Sequence, residues 1–200
     1  FFKQHIILIF AFLSLLAKGQ DAQFTQYFAA PLYTCPAIAG SNGGYRVALN
    51  YRRQWLAIPG GYSTYIAAYD VAIPKINSGI GIIVFQDFAK NNLLSTKYTG
   101  LTYAYKFNIS KEIKIRTSLS YLFTSRGIDY SKLIFKDQIL NNTPVSTIEK
   151  FANSNIFYHD FTSSFLFSYN NFWTSLTIDH LFRPNQSLLL DQEARVDRKF

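Results

Sequence analysis

Methionine is absent from all 200 residues, position 1 included, and the only cysteine is Cys35. A natural reading frame begins with Met, so the expectation is a chain lacking its first residue or residues. A lone cysteine permits no internal disulfide and excludes a small secreted scaffold stapled by bridges. Charge is scarce too. Only 16% of residues are Asp, Glu, Lys or Arg, which excludes a disordered tail, an acidic scaffold and a coiled coil. Long apolar runs are missing as well: the longest, 6–16, falls short of the roughly 20 residues a membrane-spanning helix needs. What the chain does have is aromatic surface, with 19 Phe and 14 Tyr, at a mean hydropathy of only +0.02. The apolar residues are therefore diluted by Ser, Thr and Asn throughout, which implies alternation and hence strands.

The 6–16 run follows Lys3 and precedes Ala17, Lys18 and Gly19. Its length and the small residues at −3 and −1 fit a signal peptide over 1–19, cleaved before Gln20. A buried N-terminal helix is the alternative, opposed by the polar Gln-Asp-Ala-Gln stretch that follows and by the lack of an amphipathic face. No cysteine stands at the cleavage position directly after the run, so a lipid anchor is not indicated. The leader takes two lysines out of a formal charge of +8. The modest basic excess left on an exported chain gives no ground for a nucleic-acid partner.

Beyond the leader, segments of about ten residues alternate apolar and polar side chains, as strands between unlike surroundings do. In the fifth segment Ile113, Ile115, Thr117, Leu119, Tyr121 and Phe123 share one face, and Lys114, Arg116, Ser118, Ser120 and Thr124 the other. The sixth sets Phe161, Phe165, Phe167 and Tyr169 against Thr162, Ser164 and Ser168. The seventh sets Phe172, Leu176, Ile178 and Phe182 against Ser175, Thr177 and Asp179. With 46–55, 64–73, 79–85 and 98–108, the prediction is seven strands. Soluble sandwich strands average about 5–6 residues, whereas tilted membrane strands take about 9–11, and most of these reach the longer figure. Aromatics near strand ends, at Tyr45, Trp55, Tyr98, Phe123, Phe172 and Phe182, suit interfacial girdles. The connections alternate: 74–78, 109–112 and Asn170-Asn171 are short, and 56–63, 86–97 and 125–160 are long. Short periplasmic turns against long outer loops are an outer-membrane pattern, and the phase puts the N-terminus in the periplasm. The fold expected is all-β, an antiparallel transmembrane β-barrel of the outer-membrane type. Seven is odd and bacterial barrels close on even counts, so the barrel is expected to be incomplete here, with 191–200 too charged for a membrane strand. The domain reading is 1–19 signal peptide, 20–44 periplasmic N-terminal arm, and 45–200 partial barrel.

The residues then carry a resemblance. Gln20-Asp21-Ala22-Gln23-Phe24-Thr25-Gln26-Tyr27, Pro31-Leu32-Tyr33, Asn50-Tyr51-Arg52-Arg53-Gln54-Trp55 and Ile58-Pro59-Gly60 resemble the start of the PorP/SprF family of type IX secretion outer-membrane proteins. Thr64-Tyr65, Tyr69-Asp70, Gly79-Ile80-Gly81, 101–105, Asp129-Tyr130-Ser131-Lys132-Leu133, His180-Leu181 and Arg183-Pro184-Asn185 follow in the family's order. Ala22 stands where the family usually has Pro, Cys35 where it often has Asn, and Leu56-Ala57 alters the loop after Trp55. Family members resemble longer barrels, which agrees with missing C-terminal strands. The resemblance implies a non-enzymatic component of the type IX secretion and gliding machinery. It would act as a docking or anchoring partner for secreted surface proteins or adhesins, or for periplasmic machine subunits, with outer-membrane lipid around it. The alternative is a passive channel or ligand-uptake barrel.

Partner-contact candidates are Gln23, Phe24, Gln26 and Tyr27 in the arm, and Arg52, Arg53, Gln54, Trp55, Pro59 and Gly60 at the outer end of the first strand. The arm reads as a lumen plug, a reach toward a periplasmic partner, or a leader tucked into the barrel. The arginines read as a cargo-facing lid, as ligands for anionic lipopolysaccharide, or as partners of lumen carboxylates such as Asp70 and Asp179. The 125–160 loop is the expected surface for partner specificity. The inward set is Arg46, Arg52, Asp70, Lys106, Lys114, Arg116 and Asp179. No enzymatic activity, cofactor or metal is expected. His159-Asp160 and Asp179-His180 are the only His-acid neighbours, and adjacent strand residues point to opposite faces. His180 is assigned to the apolar face of the seventh strand. Nucleophile elbows, zinc-binding helices and phosphate loops are absent from the sequence.

Overall fold

The computed structural model describes residues 21–57, 60–89, 92–110, 112–133, 154–188 and 193–200; the expected leader, 1–19, lies outside them. The described residues form one seven-stranded sheet in the order of the chain. Its strands are β1 Tyr45–Gln54, β2 Tyr62–Ile73, β3 Ser78–Ala89, β4 Leu94–Asn108, β5 Ile113–Ile128, β6 Asn155–Tyr169 and β7 Phe172–Ile178. Each pairs antiparallel with the next, and the sheet curls into half a barrel. No described helix is long and apolar enough to cross a membrane.

All seven expected segments appear, but three expectations need correction. Residues 86–97 are not a long connection. Gln86, Asp87 and Phe88 pair with Lys97, Thr96 and Ser95, so β3 and β4 run on to a short link at 90–93, and the alternation of connection lengths holds only for the other links. The seventh strand ends at Ile178 rather than at Phe182, because the backbone turns through positive φ at His180 and Arg183. Tyr98 belongs to no outer girdle. It shares the inward parity of Gly100 and Thr102, and its ring stacks on Phe85 at 4.6 Å.

The two faces differ as the alternation requires. Convex residues are apolar and uncovered: Leu49 is 76% exposed, Leu101 58% and Leu119 53%. Concave residues are covered, and beside an apolar strip they include polar ones buried as deeply, with Thr64 and Asp160 each 1% exposed and Ser120 2%. Across the concave face, Thr102 bonds Ser120 and Ser118 bonds Ser164, each at 2.7 Å. On the convex face the neighbours are rings: Tyr51 and Tyr65 at 4.8 Å, and Phe123 stacked on Phe157 at 5.9 Å. Water-facing apolar area costs about 25 cal/mol per Å². A continuous apolar convex face is therefore stable only against hydrocarbon.

Residues 21–44 cover the concave face. They include three short turns of helix, Tyr27–Ala29, Pro31–Thr34 and Pro36–Ile38, each too brief to satisfy its own backbone. Leu32, Ala37 and Ala39 are at most 2% exposed, packed against Ile66, Ala68, Ile83, Phe85, Ala104 and Leu166. The segment descends along β3 from Phe85, where Tyr33 stacks at 5.7 Å, to Gly79. There the two backbones touch: a Cβ on Gly40 would lie 2.8 Å from the Gly79 Cα, and one on Gly79 would overlap the Ala39 carbonyl. Glycine inside a strand commonly marks such an approach.

Residues 193–200 form no named strand, yet they return alongside the chain that follows β7. Asp179 bridges Lys199 and Asn185 bridges Arg195. The Gln186 N–H donates to the Ala194 carbonyl at 2.9 Å, and the Val196 N–H to that of Pro184 at 3.0 Å. The charged tail is thus a partial rung beside the sheet.

Candidate functional site

An irregular segment lying on a sheet leaves backbone groups that the sheet must satisfy. The inward polar residues do so. Arg116 on β5 donates Nε to the Ala37 carbonyl at 2.9 Å and Nη2 to that of Ala39. Ser164 on β6 accepts the Ala37 N–H at 2.6 Å. Asp70 on β2 accepts the Gly40 N–H at 2.7 Å and, on its other oxygen, Arg46 Nε at 2.8 Å. Asn50 on β1 donates to the Ala29 carbonyl at 2.8 Å, and Thr177 on β7 to that of Thr34 at 3.1 Å. Five of the strands named above thus grip one segment, and polar side chains that would be costly inside a soluble core are here paired.

The start of the segment is latched separately. The positive φ of 58° at His180 brings its ring to the concave side. Nδ1 meets Asp160 Oδ2, and Nε2 lies 3.3 Å from Asp21 Oδ2. Lys199 Nζ lies 3.3 Å from the same Asp21 oxygen and 4.0 Å from Asp179, and Thr162 holds Asp179 at 2.9 Å. His180 and Asp21 lie outside the strands. Burial pulls the His180 pKa down, but the bonds to Asp160 and Asp21 outweigh it and raise it to about 10. Burial likewise pushes Asp21 up, and His180 with Lys199 outweighs that and lowers it. Both charges persist at neutral pH, so the imidazolium has no lone pair to act as a base. The cluster is an ionic clasp. Beside it lies a cavity of about 460 Å³ between the segment and the sheet, lined in part by Phe24, Tyr33, Tyr98 and Tyr158.

The sequence candidates fall into two groups. Gln23 and Gln26 are exposed. Phe24 packs edge-on against Tyr33 at 5.6 Å, and the Tyr27 carbonyl accepts the Thr34 hydroxyl at 3.0 Å. At the far end of β1, Arg52 faces inward in the row formed with Thr64 and Asp87, while Arg53 and Trp55 are exposed. Trp55 takes φ 58° and meets Tyr62 edge-on at 5.2 Å. Gln54 and Gly60 are half-buried, and Pro59 lies outside the described residues; the loop expected over 125–160 is shortened at both ends, since β5 runs to Ile128 and β6 starts at Asn155, and most of what is left lies outside the described residues. Asp70 is held by Arg46, and Asp179 by Thr162 and Lys199. Neither Arg52 nor Arg53 pairs with these two; the lumen carboxylate on which the Arg52 charge acts is Asp87, in its own inward row.

His180 corrects a second one, since it faces inward rather than to the apolar side. The sequence reading missed Asp21, Asp160, Ser164 and Lys199. Asp160 was findable, for it shares the inward parity of Thr162 and Ser164; His180 was not, because a left-handed backbone breaks the period.

An antiparallel sheet that is apolar on its uncovered convex side and polar on its filled concave side is the wall of a membrane β-barrel. The chain belongs to the family described as type IX secretion system membrane protein PorP/SprF, which matches residues 16–200. No curated protein and no solved structure matches it.

Proposed function

We propose that this type IX secretion membrane component resides in the outer membrane as a docking or anchoring partner, for secreted surface proteins or for periplasmic subunits of the machinery, and that it does not work as a passive pore. The observation that carries this reading is the 21–44 segment bound along the concave face by Arg116, Ser164, Asp70, Asn50 and Thr177. A channel needs that space open, whereas a docking scaffold needs a rigid wall and exposed ends. The rim residues Arg53, Trp55 and Gly60, and the exposed arm residues Gln23, Gln26 and Tyr27, are the contact surfaces in this reading. The signal peptide over 1–19 delivers the chain to the periplasm, and the connections 74–77, 109–112 and 170–171 remain on that side.

The test is gentle crosslinking in intact outer membranes, purification, and mass spectrometry of the companions. Recovery of secretion-machine subunits, or of one large surface protein, is the expected result. A chain recovered alone that conducts ions in planar bilayers would favour the uptake channel instead.

A further inference from the structure

The concave face carries its cations unevenly. On β4 and β5, Lys106 lies directly opposite Arg116 in the register, and Lys114 follows two residues nearer the short connections. All three share the inward parity, so none faces lipid. Like charges opposite one another on a sheet face destabilise it, and the diagonal pair Lys106 and Lys114 is only about 7–8 Å apart. Arg116 is occupied by the Ala37 and Ala39 carbonyls, which carry no formal charge to neutralise it. Among the described residues, no carboxylate reaches Lys106 or Lys114. The nearby Asp70 bonds Arg46 and Gly40, and its charge acts on Arg116 as well, so the cations it leaves uncompensated are the two lysines. Lys75, on the adjoining β2–β3 connection, is exposed, as is Glu112, the one acid among the described residues of the connections at this end. The segment that fills the concave face turns into β1 through the exposed residues 41–44, so Lys106 and Lys114 stand at an accessible mouth.

A mouth lined by one sign of charge, with a low-dielectric wall behind it, concentrates the opposite sign. We infer that the end of the sheet carrying the connections 74–77, 109–112 and 170–171 is a docking site for an acidic segment of a protein partner, with Lys106 and Lys114 as its contacts and Lys75 steering the approach. The inward parity selects protein over lipid, because an anionic headgroup in the bilayer meets the convex side. The inference rests on the docking role proposed above and names the chemistry of its partner.

The test uses the full chain in detergent micelles and a fluorescent peptide of alternating Glu and Gly, with a Gln-for-Glu peptide as its neutral counterpart. The expected result is binding of the Glu peptide only, weakening steeply between 50 and 500 mM salt on the order set by screening. A K106Q/K114Q pair should weaken it about tenfold, as loss of two ammonium–carboxylate contacts does, while Lys97→Gln leaves it unchanged. Retention of heat-modifiable migration by the double variant shows that it folds. Equal binding of both peptides, no loss in K106Q/K114Q, or displacement of the peptide by anionic lipid vesicles would overturn the proposal. Co-purification of machine subunits from cells separates the two readings. If wild type and K106Q/K114Q both retain them, docking stands and the mouth does not; if wild type retains none, docking itself fails.

Discussion

The two sides of these strands solve opposite problems. On the convex side Leu49, Leu101, Leu119 and their aromatic neighbours need no directional partner, only a medium that does not penalise apolar surface. On the concave side Arg116, Asp70, Ser164 and Asp160 need partners of defined position, and an irregular segment of the same chain supplies them. The difference teaches where specificity resides. Convex residues are exchangeable among apolar types, whereas Arg116, Asp70 and Ser164 answer particular atoms at 37–40 and Asp160 answers His180, which in turn holds Asp21.

The comparison can be broken most forcefully where the segment touches the sheet backbone. Gly79→Leu places a side chain into Ala39 and Gly40, an overpacking cost of about 3 kcal/mol. Limited proteolysis should then cut within 21–44, and heat-modifiable migration should shift to a lower temperature. Gly44→Ala, with open space around its Cβ, should do neither.

Next comes a charge on the wrong side. Leu119→Arg near the middle of β5 should cost about 2–4 kcal/mol in bilayers, read as denaturant unfolding from lipid vesicles, while Thr117→Leu on the same face is neutral or stabilising. On the concave side, Arg116→Met removes the donors to Ala37 and Ala39. Hydrogen bonds from a charged donor contribute about 1.5–3 kcal/mol each, partly offset because Met buries no charge, so a loss of about 2 kcal/mol is expected, with residues 35–40 gaining hydrogen exchange.

The smallest effect is the clasp's pH dependence. The folded His180 pKa, about 10 against an ordinary 6.5, means its contribution is full below about pH 6.5 and is lost as pH rises through 10. Asp21, lowered in the folded chain, contributes above the ordinary carboxylate range and loses that contribution as pH falls through its depressed value. Protease protection of the first arm residues should therefore hold around neutrality and fade at both extremes. His180→Gln should abolish the alkaline limb.

Much of the wall was legible because a period of two needs no tertiary information. Arg46, Arg52, Asp70, Lys106, Lys114, Arg116 and Asp179 all lie on the concave side as their parity implied. Strand ends were less legible. Gln86, Asp87, Ser95 and Thr96 look like loop residues, yet the β3–β4 ladder continues through them because their backbones pair and Asp87 accepts the Thr64 hydroxyl at 2.6 Å. That 21–44 lies in the lumen was one of the readings the sequence allowed, but its path along the wall was not legible, since a segment without a period carries no face to assign. Its one advance sign was Gly79-Ile80-Gly81, two missing side chains on the same face of a strand. The clasp was hidden for a different reason: Asp21, Asp160, His180 and Lys199 are far apart in the chain, and a single left-handed residue decides which way the imidazole points.

The central claim is that 21–44 occupies the concave face of the sheet, and Cys35 offers a direct test because its Sγ lies 4.0 Å from the Ser164 hydroxyl. Ser164→Cys in native membranes puts a second thiol opposite the first, and mild oxidation followed by non-reducing peptide mapping reads the outcome. The expected result is a link joining the peptide containing residue 35 to that containing residue 164, formed in most molecules. Full alkylation of Cys35 under the same conditions, with no linked peptide, would contradict the account.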